Sequence, residues 1–290
     1  MSNINQNSFN LSGLSDVRTL VTQLGFHPSR ALGQNFLVDR NILDIFIDSA
    51  ELTAEDRVLE IGPGLGVVTE AILSRAKSLV AVEKDRRLFA YLSEKQADCK
   101  SLNLIEGDVL KVGIPSLLAD GVDKVISNLP YTPGSRILLD LVRDDNAPQE
   151  IVVTVQLEVA QRITAAPGSK AFGLMGVWCQ LHYDVEMVKV ISPNCFWPRP
   201  DVKSAIVKLK HRQKAVLDKS DEAFFYKLTR HAFQQRRKQL ASTLSKSPGD
   251  LRVDADTCRK YLIEAGASVS ARPEELSLEQ WCELARRIAH

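Results

Sequence analysis

The feature that most narrows the possible folds is an alternation running from Arg57 to about residue 165. Short apolar runs, RVLEI (57–61), SLVAVE (78–83), NLIEGD (103–108), DKVISN (123–128) and EIVVTVQ (150–156), are interleaved with stretches of helical spacing. The latter are VVTEAILSRA (67–76), RRLFAYLSEKQ (86–96), SRILLDLV (135–142) and EVAQRITA (158–165). Alternating strands and helices imply an α/β, Rossmann-like, doubly wound parallel sheet. Two later runs, DVEMVKVIS (184–192) and KSAIVKLK (203–210), flank a Pro-rich turn and read as a hairpin that closes the sheet with an antiparallel edge. Beyond Lys214 the strand signals stop. AFFYKLTRHAFQQ, RKQLASTLS, ADTCRKYLIEAG and SLEQWCELARRIA all carry helical spacing, so a small C-terminal all-helical domain is expected. The expected division is a tail and lead helix over 1–27, a main domain over 28–212 and the helical domain over 213–290. Residues 1 to 10 read as disordered, and Leu14, Val17, Leu20, Val21 and Leu24 form the apolar stripe of the lead helix.

Composition sets limits on function. No apolar run approaches the roughly 20 residues of a spanning helix, and MSNINQNSFN lacks the order of a signal peptide, so a cytoplasmic protein without membrane contact is expected. The five cysteines show no CxxC spacing, which indicates neither a disulfide framework nor a metal site. A net charge of +1 makes no global case for a polyanion partner, but between Lys210 and Lys238 nine Lys/Arg face three Asp/Glu, including the run Arg236, Arg237, Lys238. The spacing of Phe233 and Leu240 predicts a helix there, with the three cations turned away from its apolar face.

Chemistry gathers at the ends of the strands. Glu60-Ile-Gly-Pro-Gly-Leu-Gly66 follows the first strand and opens a helix, so Gly62, Gly64 and Gly66 allow a tight turn and close approach of a ligand. Glu83 ends the second strand, placed as a ribose-diol acceptor, and Asp108 ends the third. Together they favour an adenosine-type ligand at the carboxyl edge of the sheet. The G-x-G-x-G spacing differs from the G-x-G-x-x-G that seats a pyrophosphate, which disfavours the dinucleotide oxidoreductase reading.

The fourth strand ends in SNLPYTPGS (127–135). An exocyclic adenine amine is a poor nucleophile because its lone pair is delocalised into the ring. The Asn128 side-chain oxygen and the Leu129 carbonyl can accept its two N–H bonds and favour a pyramidal nitrogen. Pro130 restricts Leu129, and Tyr131 offers a flat face to a base taken out of its stack.

GQNFLVD (33–39), EIGPGLG, VEKD, GD, NLPY, TVQLEVAQRITAAPGSKAFG (154–173), FWPRPDVKSAIV (196–207) and AFQQRRKQL (232–240) resemble the KsgA/RsmA-type ribosomal RNA adenine dimethyltransferases, relatives of the erythromycin-resistance methyltransferases. The resemblance covers residues 28 to 245 and implies a class I S-adenosylmethionine-dependent methyltransferase. The implied activity is dimethylation of the N6 amine of adenosines, two adjacent ones, in small-subunit ribosomal RNA or its precursor, by a monomeric enzyme. Asn35, Leu37, Gly62, Gly64, Gly66, Glu83, Lys84, Asp108 and Asn128 would touch the cofactor. Phe196 would cover the base opposite Tyr131, while Arg162, Lys170, Arg236, Arg237 and Lys238 would meet RNA. The chain departs from the family where Thr132, Pro133, Gly134, Ser135 and Arg136 follow NLPY, and in its near-neutral charge. Other readings are an erythromycin-resistance-type enzyme acting on large-subunit RNA and a mitochondrial-type transcription factor of the same fold.

Overall fold

A computed structural model describes residues 13–29 and 33–290, which leaves the disorder expected over 1–10 outside the described residues. The first strand, β1 (Phe36–Leu37), follows helix α1 (Leu14–Gln23) and precedes α2 (Arg40–Ser49). Then β2 (Arg57–Ile61), α3 (Val67–Leu73), β3 (Ser78–Glu83), α4 (Arg86–Lys95), β4 (Leu102–Glu106), α5 (Val109–Val112), α6 (Ile114–Leu118), β5 (Lys124–Asn128), α7 (Tyr131–Val142) and β6 (Glu150–Gln156) follow in order. The chain continues through α8 (Leu157–Ile163), α9 (Leu174–His182), β7 (Tyr183–Ile191), β8 (Phe196–Trp197) and β9 (Ser204–His211).

The seven-stranded sheet has the order β4-β3-β2-β5-β6-β9-β7. Neighbours from β4 to β6 are parallel, and β9 runs antiparallel to β6. Strand order therefore reverses between β2 and β5, where open α/β sheets leave a crevice at their carboxyl ends. Buried strands carry the core: Val58, Leu59 and Ile61 of β2 and Val125 and Ile126 of β5 are all at most 2 % exposed. A separate two-stranded ladder pairs β1 with β8, Phe36 opposite Trp197 and Leu37 opposite Phe196.

The described residues form two compact units, one of those up to residue 160 with 186–210, the other of 161–185 with 211–290. Segment 161–185, which holds α9 and the start of β7, thus groups with the helical unit, whereas sequence order assigns it to the main domain. That unit also holds α10 (Lys219–Gln234), α11 (Leu240–Leu244), α12 (Ala255–Glu264) and α13 (Leu278–Ala289). Trp178 donates to Thr229 at 3.0 Å, and fully buried Trp281 donates to the Pro273 carbonyl at 3.2 Å, so both indole N–H groups are satisfied inside its core.

Two local expectations need correction, and one helix, α9, lies where the sequence shows no periodic signal. The helix after NLPY starts at Tyr131, not Ser135. Pro130 at φ −64° serves as its N-cap, and Pro133 sits in the first turn, where the missing N–H is no loss. Helix α9 carries no periodic signal because LMGVWCQLH is apolar nearly throughout, with Val177, Trp178, Cys179 and Leu181 all buried. The Arg236–Lys238 run is a turn between α10 and α11, not a helix face. No helix among the described residues is long and apolar enough to cross a membrane.

Candidate active site

At the carboxyl edge of the sheet, within the first unit, lies a cavity of about 270 Å³. Its floor is the turn after β2. Gly62, Gly64 and Gly66 have φ of 72°, 62° and 87°, left-handed values that a Cβ would strain, and a Cβ on Gly64 would also come within 3.1 Å of the Phe36 ring. Lining residues include Asn35, Leu37, Gly62, Gly64, Glu83, Lys84, Asp108 and Asn128, which the structure brings together around one space. Gly66 stands behind it as the N-cap of α3.

The acids are fixed by the backbone around them. Glu83 is 5 % exposed and accepts from Gly64 N at 3.0 Å and from Asp85 N at 2.7 Å. Burial pushes its carboxyl above the usual range, against those hydrogen bonds. Asp108 caps α5 by accepting from Leu110 N at 3.0 Å, and Lys84 Nζ lies 2.9 Å from its other oxygen. The Lys84 hydrogen bond holds Asp108 below the usual carboxylate range. Lys84 is largely exposed, so its contribution at this rim is to Asp108.

Sequence reasoning passed over Glu60 as a site residue. It ends one residue before the glycine turn, is 1 % exposed, lines the cavity and accepts from Thr69 Oγ1 at 2.6 Å. Burial, with Glu83 nearby, pushes its carboxyl up to about 8. The signal was available: an acid inside an otherwise apolar strand end has no solvent to explain it.

Asn128 ends β5 beside this floor. Its Nδ2 donates to the Asn35 carbonyl at 2.9 Å and its Oδ1 accepts from Thr154 Oγ1. Gly33 lies against the next residues of the motif, since a Cβ there would stand 3.1 Å from Tyr131 N and 3.4 Å from Pro130 Cβ. Gln34 donates to Asp85 at 2.9 Å, and its own side-chain oxygen accepts from Ser29 N at 2.7 Å. The segment before α2 is therefore tied to both sides of the cavity. Leu129 is buried, and Pro133, four residues on, has no N–H with which to take its carbonyl. Tyr131 is half-buried with its hydroxyl 2.5 Å from Ser204 Oγ. Thr132 and Pro133, where the chain departs from the family pattern, line the cavity.

Phe196 is not among the residues that line the cavity. It is 3 % exposed and belongs to the apolar cluster of Leu37, Ile42, Phe46, Ile191 and Ile206, paired in register with Leu37, which does line the cavity. In this conformation it offers no open face to a ring opposite Tyr131.

The sequence profile described as ribosomal RNA adenine dimethylase matches residues 25–289. The chain belongs to that family. Among its similar proteins, the ribosomal RNA small subunit methyltransferase A of Bacillus mycoides (strain KBAB4) is 36% identical over 276 residues, 93% of this chain and 94% of the relative. The protein of the same name from Bacillus cereus (strain AH187) gives the same figures. Two solved structures share the fold. A dimethyladenosine transferase from Plasmodium falciparum has a TM-score of 0.73 at 24% identity, covering 85% of this chain and 94% of that one. The 23S rRNA methyltransferase ErmE has a TM-score of 0.68 at 24% identity, covering 88% and 100%.

The buried acid gives a pH signature. A folded Glu60 keeps its proton up to about pH 8, whereas in the unfolded chain it loses the proton near the ordinary glutamate value of 4.5. Its contribution to stability therefore falls as pH rises through that interval. Glu60→Gln keeps an acceptor for Thr69 and removes this dependence, so the ligand-free variant should gain thermal midpoint on the wild type progressively from pH 5 to 8, as followed by circular dichroism.

Proposed function

We infer that the protein is an S-adenosylmethionine-dependent methyltransferase that dimethylates the N6 amine of adenosines in small-subunit ribosomal RNA. The observation that carries this reading is the position of Asn128, at the end of β5, on the rim of a cavity whose other walls are a glycine turn and two strand-end acids. The described residues suit the cofactor. Glu83 and Asp108 are carboxyl acceptors for a ribose diol and an adenine amine, the positive-φ glycines leave room for close approach, and apolar Leu37, Leu65, Val109 and Leu110 supply the walls. When bound, S-adenosylmethionine supplies an electrophilic methyl group on a sulfonium.

The chain's own part is positioning and exclusion of water. Asn128 Oδ1 and the Leu129 carbonyl hold the hydrogens of the target amine, which favours a nitrogen whose lone pair is available. Pro130 restricts the backbone that presents both acceptors, and Tyr131 supports the ring of a base removed from its stack. Charge leaves sulfur as it reaches nitrogen, so holding the two reactants in line does most of the catalysis and no dedicated base is needed. The 36% identical relatives are named for the small subunit, which favours that substrate over the large-subunit alternative, and the acceptor and acid edge being present together favours an enzyme over a transcription factor.

RNA contact belongs in this proposal to the helical unit, which includes Arg162. Arg236 is not free for it: Nη2 donates to the Lys170 carbonyl at 2.8 Å and Nε lies 3.6 Å from Glu274. Arg237, Lys238 and Lys170 are exposed and remain the candidates.

Asn128→Ala should lower the rate of methyl transfer on the order of 100-fold or more while leaving cofactor affinity nearly unchanged, measured by single-turnover transfer to small-subunit RNA and by calorimetry. A variant with wild-type turnover removes Asn128 from the reaction. Glu83→Ala should weaken S-adenosylmethionine by about 1 to 3 kcal/mol, and an unaltered dissociation constant would exclude Glu83 from the cofactor site. Replacing Arg237 and Lys238 together by Ala should flatten the log–log salt dependence of RNA affinity by roughly 0.7 to 0.9 for each phosphate that is no longer neutralised, with cofactor affinity unaffected. An unchanged slope and affinity would leave these two cations as a solvated turn.

A further inference from the structure

Strand β6 is apolar through Ile151, Val152, Val153 and Val155, all at most 4 % exposed, and is interrupted by one hydroxyl, Thr154, which is 0 % exposed. Val would be the ordinary residue in such a strand and has nearly the same shape. A buried hydroxyl costs stability unless it finds a partner. Thr154 finds it in the site: in the parallel register of β5 and β6 it stands beside Asn128, and its Oγ1 donates to Asn128 Oδ1.

The direction of that bond follows from the other end of the amide. Asn128 Nδ2 lies 2.9 Å from the Asn35 backbone carbonyl, which can only accept. Nitrogen must therefore face Asn35 and oxygen must face Thr154, so the Thr154 hydroxyl is the donor. One hydrogen of Nδ2 and one lone-pair direction of Oδ1 are consumed, and a second lone pair stays available to an incoming N–H. With only the Asn35 contact, the amide would retain freedom about its final torsion, which has a broad energy profile.

We propose that Thr154 is a positioning residue that locks the Asn128 amide, leaving its oxygen aimed for the target amine. The proposal rests on the reading of Asn128 as the amine acceptor and adds the residue that sets its orientation. Thr154 itself touches no reacting atom. Were its hydroxyl only a satisfied polar group in the core, its loss would change stability and leave turnover of folded enzyme alone.

The test uses the full-length protein with Thr154→Val, Thr154→Ser, Asn128→Ala and the Asn128→Ala/Thr154→Val double variant. Single-turnover methyl transfer to small-subunit ribosomal RNA is measured at saturating S-adenosylmethionine. Thr154→Val should be slower by about tenfold, the effect of one hydrogen bond, and Thr154→Ser should return to within about twofold of wild type. The double variant should be no slower than Asn128→Ala, since the hydroxyl acts through that side chain. In ligand-free protein, the Asn128 side-chain amide signal in a proton–nitrogen correlation spectrum, identified by its absence from Asn128→Ala, should move in Thr154→Val and return in Thr154→Ser. Thr154→Ala, compared with Thr154→Ser, supplies the same contrast should the Val variant misfold. Wild-type turnover by Thr154→Val while Asn128→Ala is impaired overturns the positioning role alone. So does a double variant slowed by the further full factor. Wild-type turnover by Asn128→Ala overturns the acceptor reading and this proposal with it.

Discussion

The site depends on the parallel pairing of β2 with β5, two strands brought side by side at the point where strand order reverses. That pairing sets the glycine turn after Ile61 next to the amide at Asn128, and it is reinforced within the strands by Ser127 Oγ donating to the Ile61 carbonyl at 2.6 Å. Glu83 at the end of β3 and Asp108 just beyond β4 lie to one side of the junction, while the side chains that hydrogen-bond Asn128 and Tyr131 come from β6 and β9 on the other. A sheet with the same strands in another order would contain the same residues and no site. The ligand edge is thus a property of topology before it is a property of any side chain.

Buried acids at the two ends of the sheet have different partners. At the amino edge Lys124 lies 3.2 Å from Asp56, and Lys208 lies 3.2 Å from buried Glu150 and 2.9 Å from Glu51, whose side chain is exposed, so cations and anions neutralise one another. At the carboxyl edge Glu60 and Glu83 are buried with hydroxyl and backbone N–H donors as their described partners, and both hold their protons more tightly than usual. Unneutralised acids in a cleft are a common mark of a functional edge.

Much of this was legible in the chain. Fully buried parallel strands produce compact apolar runs, so RVLEI, SLVAVE and EIVVTVQ stand out, and the glycine turn and acids follow them at strand ends. What stayed hidden depends on contacts between distant segments. Helix α9 is apolar on nearly every face and therefore has no period to read. Phe196 reads equally as clamp or core in the sequence, and only the fold shows it buried beside Leu37. Arg236 is one of three equivalent cations in the sequence, and only the fold shows that the Lys170 carbonyl and Glu274 hold it. Thr154 stands in its motif without a visible role, because its partner Asn128 is 26 positions away and only strand register makes them neighbours.

The segment Gly33–Asp39 has a standing out of proportion to its length. It supplies the carbonyl that holds Asn128, the glutamine that holds Asp85, the glycine laid against Pro130 and Tyr131, and the cap of α2, where Asp39 accepts from Ile42 N at 3.1 Å. Yet its two-residue strand lies outside the main sheet. A protease cut that released the residues before α2 would leave all seven strands of that sheet in the remaining polypeptide while removing contacts on both sides of the cavity. The strands of the sheet and the contacts that tie down the cavity are therefore supplied by different stretches of this chain.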